Sequence, residues 1–252
     1  MSARDAARAA AGLPALLLLS VLAGCAPGSP VAAQRPTPAD PPAATPAPPS
    51  PTPLATPVPL TVAVTAFREP NDYAHRNYCG AGATEVLLSA WTPNRPGVET
   101  VARAIGIDPN SGTTGARTVA GINALLHPWL GVDRYTGDHV TTLDGVLQRL
   151  RTDLGSRDDL QRYGHTAPVM VQAMTRTMPG WRGWQATHMI TISAANLDSG
   201  NPDADTVTYA ETPSTVAGYN GPDFQTITVR ALWTAMQAFL SDDPGDPVNV
   251  IW

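Results

Sequence analysis

The sequence contains no lysine: all sixteen basic residues are arginine, set against twenty-one acidic ones for a formal net charge of −5. It has no basic run either, so the electrostatic footprint of a nucleic-acid partner is missing and that class is set aside. Cysteine is almost as scarce. The two cysteines, Cys25 and Cys79, cannot build a disulfide framework for a chain of 252 residues. Long apolar runs are missing too: the one over 13–23 is shorter than the ~20 residues that span a bilayer as a helix. What is plentiful is proline and glycine, 26 and 21 residues, together with alanine. That composition goes with GC-rich coding, which accounts for arginine in place of lysine without any functional selection.

The apolar run follows Arg4 and Arg8 and ends in Leu22-Ala23-Gly24-Cys25, the layout of an export signal. The last four residues resemble the lipobox of bacterial lipoproteins. The resemblance implies a signal peptide over 1–25, acylation of Cys25, and a mature protein held on the outer side of the cell membrane by that lipid. Residues 26–60, including PPAATPAPPSPTPLATP, have almost no charge and no aromatic side chain, so they are expected to form a disordered tether. Proline-rich chain extends at ~3.1 Å per residue, giving a reach of roughly 100 Å.

Residues 61–252 are long enough to bury one core, and no repeat or second linker divides them. Helical apolar spacing covers 80–91, 98–105, 117–127 and 141–154, the first stopped by Thr92-Pro93. From Pro168 onward the character changes to short β-rich runs, PVMVQAM, THMITISAA and TVTYAET, separated by Gly, Pro and Asp. A helix over 232–240 and a last strand within 247–252 close the chain. Helices first and an antiparallel sheet afterwards define an α+β domain.

Cys79 opens the first of these helices, in RNYCGAGATE. Unpaired N–H groups and the positive end of the helix dipole gather there, a setting that turns a thiol into a thiolate nucleophile. Gly80, Ala81 and Gly82 are read as leaving room beside the sulfur for a substrate backbone. Free cysteines are also commonly buried for structural reasons, so position alone leaves both roles open.

Five histidines compete to be its base. His127 stands before Pro128 at a predicted helix end, and His139 and His165 lie in polar, exposed-looking sequence. His75 and Cys79 have the spacing of a metal pair, but no second pair supplies the remaining ligands, so no metal is expected. His188 heads the strand MITISAA, where the strand behind it fixes its backbone. The next strand ends in Glu211-Thr212-Pro213, and an antiparallel return brings that carboxylate beside the ring. Asp198, ten positions beyond His188, would lie about 30 Å away along a straight strand and reads as a turn residue.

Cysteine, histidine and acid in this order resemble the papain-like cysteine peptidases, and within them the double-glycine (bacteriocin leader) peptidase-like branch. NYCGAGATEVLLS, THMITISAANLD and VTYAETPS carry the resemblance, which spans roughly 70–240. It implies a papain-like fold, with the nucleophile helix of a helical N-terminal half packed on a C-terminal antiparallel sheet. It also implies a Cys79–His188–Glu211 triad that cleaves peptide or amide bonds without a cofactor, acting as a monomer on a peptide or protein. The chain departs from the family in having no proline at Ala81 or Gly82, and Glu211 in place of an aspartate. It also has Tyr73 and Ala74 where a glutamine usually completes the oxyanion hole. Asn71 is the expected substitute donor, together with the backbone N–H of Cys79. Trp181 and Trp184 are expected either to wall the cleft or to pack in the core. Two further functions stay open: a non-catalytic peptide-binding member of the same fold, and a cell-wall amidase or transpeptidase.

Overall fold

Most of the helices and the central strands follow from the apolar periods. The computed structural model describes residues 60–252. Helices α1 (Cys79–Leu88), α2 (Val98–Ala104) and α3 (Gly115–Leu130) come first, then the short strand β1 (Gly137–Asp138) and helices α4 (Leu143–Leu154) and α5 (Arg157–Tyr163). Strands β2 (Val169–Met174), β3 (Thr187–Asn196), β4 (Thr206–Ala210) and β5 (Phe224–Thr228) follow, and α6 (Val229–Asp242) leads to β6 (Val250–Ile251). The strands form one sheet in the order β1-β6-β2-β3-β4-β5, with every neighbouring pair antiparallel. The domain is therefore a mixed α+β fold on an antiparallel six-stranded sheet.

Strand β2 reads VMVQAM without polar alternation because both of its faces are covered. On one face Met170 of β2 and Met189 of β3 meet Leu87, Ile122 and Leu126 from α1 and α3. On the other, Val169, Val171, Ile190 and Ile192 meet Leu150 and Leu154 of α4 and Leu232 and Met236 of α6. Each large aliphatic side chain fully buried in this way contributes about 1.5–3 kcal/mol. The sheet is thereby a rigid slab between two helical layers, and the site stands at one end of it.

Four elements differ from what the periodicity predicts, among them β1, a two-residue strand with no apolar side chain. Helix α3 does not stop before Pro128 but continues to Leu130, where Gly131 adopts φ 70° and donates its N–H to the His127 carbonyl at 2.8 Å. A proline in the last turn removes a single helical hydrogen bond, so the left-handed glycine sets the end instead. Helix α5, RDDLQRY, is too polar to show a period; Ser156 caps it, its side chain accepting from the Asp159 N–H. Strand β5 is an edge strand with Ile227 as its one buried residue, which leaves it almost no apolar signal.

The expected signal peptide, Cys25 and nearly all of the tether lie outside the described residues. At the tether's end, Leu60 accepts a hydrogen bond from the Ala195 N–H and Val62 donates to the Ser193 carbonyl, both at 2.8 Å. The chain therefore joins the sheet beside β3 as soon as the proline-rich segment ends. Among the described residues no helix is long and apolar enough to cross a membrane.

Candidate active site

Helix α1 aims its first residue, Cys79, at the end of the sheet, and several contacts hold it there. Thr191 on β3 donates its hydroxyl to the Ala83 carbonyl at 2.7 Å. A β-carbon at Gly82 would stand 2.5 Å from Thr212 Oγ1 and 2.9 Å from Glu69 Oε1, and one at Gly80 would stand 2.7 Å from Thr113 Cγ2. These small residues are buried. They do not clear space for a substrate, as the sequence reading has it; they let the helix approach the protein's own strand end and loop. Tyr78, the residue before Cys79, gives the helix no side-chain cap, so the first N–H groups of α1 face the site uncapped.

His188 is fixed by the ladder, where it pairs with Ala173 of β2, and is almost fully buried. Strand β4 runs back along β3, and the chain just beyond it returns Glu211 to the ring. His188 Nε2 donates to Glu211 Oε2 at 2.8 Å, and Trp181 Nε1 donates to Glu211 Oε1 at 2.9 Å. Both carboxylate oxygens are thus occupied at a residue with no exposed surface. Cys79 lies on the same cleft as His188, and its thiol is the ring's other polar neighbour. The Trp181 ring lies edge-on to the imidazole at 4.9 Å between centroids. Burial alone would lower the affinity of His188 for its proton. The Glu211 carboxylate and the Cys79 thiol outweigh burial and push the ring up to about 10. The buried carboxylate thus favours the protonated ring.

The other residues singled out in the sequence lie elsewhere. Asn71 accepts from the Thr215 hydroxyl at 3.0 Å and from the Val216 N–H at 3.2 Å, and it is not among the side chains lining the Cys79 cleft. Its carboxamide oxygen supports the loop after Pro213, and its place outside the cleft sets it apart from the oxyanion position expected of it. Asn77 does line the cleft, and its Nδ2 donates to the Pro109 carbonyl at 2.7 Å, leaving a second amide hydrogen. Asp198 is exposed in the turn after β3. His75 bridges Asp72 and Glu99 at 2.7 and 2.6 Å, and His127 meets Asp133 at the surface. His139 is exposed as expected, whereas His165 is half-buried with its ring against Trp91. Trp181 is both core and cleft wall, while Trp184 is 60 % exposed.

Sequence reasoning missed a second acid. Glu69, 2 % exposed, donates its N–H to the Thr212 carbonyl and accepts the Thr212 hydroxyl on Oε1, each at 2.8 Å. Its other oxygen, Oε2, is buried without a hydrogen-bond partner. Burial pushes this carboxyl up to about 7, although the Thr212 hydroxyl and the charge on His188 pull it down. A folded-state value above the unfolded one means that the native protein holds the extra proton between about 4.5 and 7. Stability then falls as pH rises through that window, by about 3 kcal/mol in full. Glu69→Gln is accordingly expected to gain on the wild type by up to about that amount between pH 5 and pH 8, read from urea midpoints. Taking the difference cancels the other raised carboxyls, Glu85 and Asp153. A constant difference across the window would show that Glu69 does not titrate there.

No family model, curated protein or solved structure matches this chain. What the site can do rests on its own geometry.

Proposed function

We propose that this domain is a papain-like thiol hydrolase of peptide or amide bonds, with Cys79 as nucleophile, His188 as proton carrier and Glu211 as the group that orients the ring. The observation that carries the proposal is the buried His188–Glu211 pair and half-buried Cys79 on one cleft, with the sulfur at the uncapped start of a helix. Such a pairing serves acyl transfer: sulfur attacks the carbonyl, the C–N bond breaks as His188 gives its proton to the departing amine, and water releases the acyl group. Developing negative charge on the carbonyl oxygen falls to the Cys79 N–H and the second Asn77 amide hydrogen, since Asn71 lies outside the Cys79 cleft. Glu211 takes the part of the family's aspartate, and Trp181 fixes it from the other side. Fold-level likeness to papain-like enzymes is part of the proposal, as are the lipid anchor on Cys25 and a place in the cell envelope.

A peptide library of mixed sequence tests the reading. The protein is expected to generate new termini detectable by mass spectrometry, and prior treatment with iodoacetamide is expected to abolish them. Adding an amine separates a hydrolase, which gives acids, from a transpeptidase, which gives amides. Peptide retention without new termini would favour the non-catalytic binding member and overturn the hydrolase.

A further inference from the structure

The Cys79 cleft is lined mostly by neutral groups, among them Asn77, Thr113, Gln172 and Thr187. Two lining side chains are charged. One is His188, already engaged by Glu211. The other is Arg76, half-buried three residues before the nucleophile. Its guanidinium lies over the Tyr73 ring at 3.9 Å and donates through Nη1 to the Tyr73 carbonyl at 3.0 Å. Those contacts hold it in place and use one of its five N–H donors. Among the described residues it forms no ion pair with a carboxylate. Asp72 and Glu99, the acids on the neighbouring His75, are engaged by that ring. An immobilised guanidinium without a counter-ion, in a protein of net charge −5, is a ready-made fork for a carboxylate.

We infer that Arg76 is a specificity residue that binds a carboxylate of the substrate close to the scissile amide. The inference deepens the thiol-hydrolase reading and rests on it. The carboxylate has two sources in a peptide, an Asp or Glu side chain or the free C-terminus, and both satisfy the same fork. A charge-assisted bidentate contact favours the anionic over the neutral substrate by about tenfold or more in kcat/KM.

Two alkylating reagents test the charge preference without knowledge of the substrate. Iodoacetate and iodoacetamide attack the same sulfur and differ in a carboxylate, and the ratio of their rates at Cys79 is the readout, so any general loss of reactivity cancels. Arg76→Gln is expected to lower the iodoacetate-to-iodoacetamide ratio about tenfold, Arg76→Glu further, and Arg76→Lys to keep most of it. An unchanged ratio in Arg76→Gln and Arg76→Glu would overturn the inference while leaving the reactive cysteine intact. If neither reagent labels the native thiol faster than the unfolded one, the hydrolase reading fails and takes the inference with it. Peptide pairs with Glu or Gln, and with a free or amidated C-terminus, then identify the source; equal kcat/KM in both pairs would again count against Arg76.

Discussion

Glu211→Gln is expected to lower turnover by about two to four orders of magnitude, while Asp198→Asn changes it little. Glu211 is buried and accepts from two donors, His188 Nε2 and Trp181 Nε1, one on each oxygen. A glutamine of the same shape has one acceptor oxygen and one donor NH2. With its oxygen toward Trp181, the NH2 faces His188, and the imidazole must present Nε2 as an acceptor and carry its proton on Nδ1. That tautomer cannot take a proton from Cys79. In the opposite flip the NH2 opposes the indole N–H, leaving two buried donors face to face at a cost of about 1–3 kcal/mol. Either way the negative charge that holds His188 protonated is gone, and the ring's proton affinity falls. Asp198 touches none of these groups and is exposed. The reverse ranking, in variants with wild-type near-UV circular dichroism, would remove Glu211 from the triad.

The strand pairing that places Glu211 was legible because it rests on length and return. TVTYA follows MITISAA after a short turn-rich loop, the pattern of an antiparallel pair, and the ladder sets Thr191 opposite Ala210, so the next residues approach His188. Cys79 was legible because a helix start is written in the sequence as a breaker followed by a 3.6-residue period. Contacts between residues far apart in the chain left no such mark. Gly80 and Gly82 look alike whether they make room for a substrate or for Thr113 and Thr212, and only the packing decides. Asn71 stands near Cys79 in sequence, yet its partners, Thr215 and Val216, lie across the fold. Glu69 sits in a polar stretch, FREPND, that gives no hint of burial, and it becomes a core acid because Thr212 captures it. The indole N–H of Trp181 on Glu211 was equally silent, since a tryptophan near a strand reads first as core.

His188→Ala carries the second large effect. In the proposed reaction the imidazole holds the thiol proton and returns it to the leaving group, a contribution of about 10²–10⁴ in rate for a positioned acid–base group. The same ring is what distinguishes Cys79 from a buried structural thiol, so its loss should register in plain alkylation as well as in turnover. Carbamidomethylation of Cys79, mapped by peptide mass spectrometry at neutral pH, therefore tests the central claim most directly. The rate in the native protein is predicted to exceed that of the urea-unfolded chain by at least about tenfold and to fall about a hundredfold in folded His188→Ala. A native rate at or below the unfolded one, unmoved by His188→Ala, would contradict it.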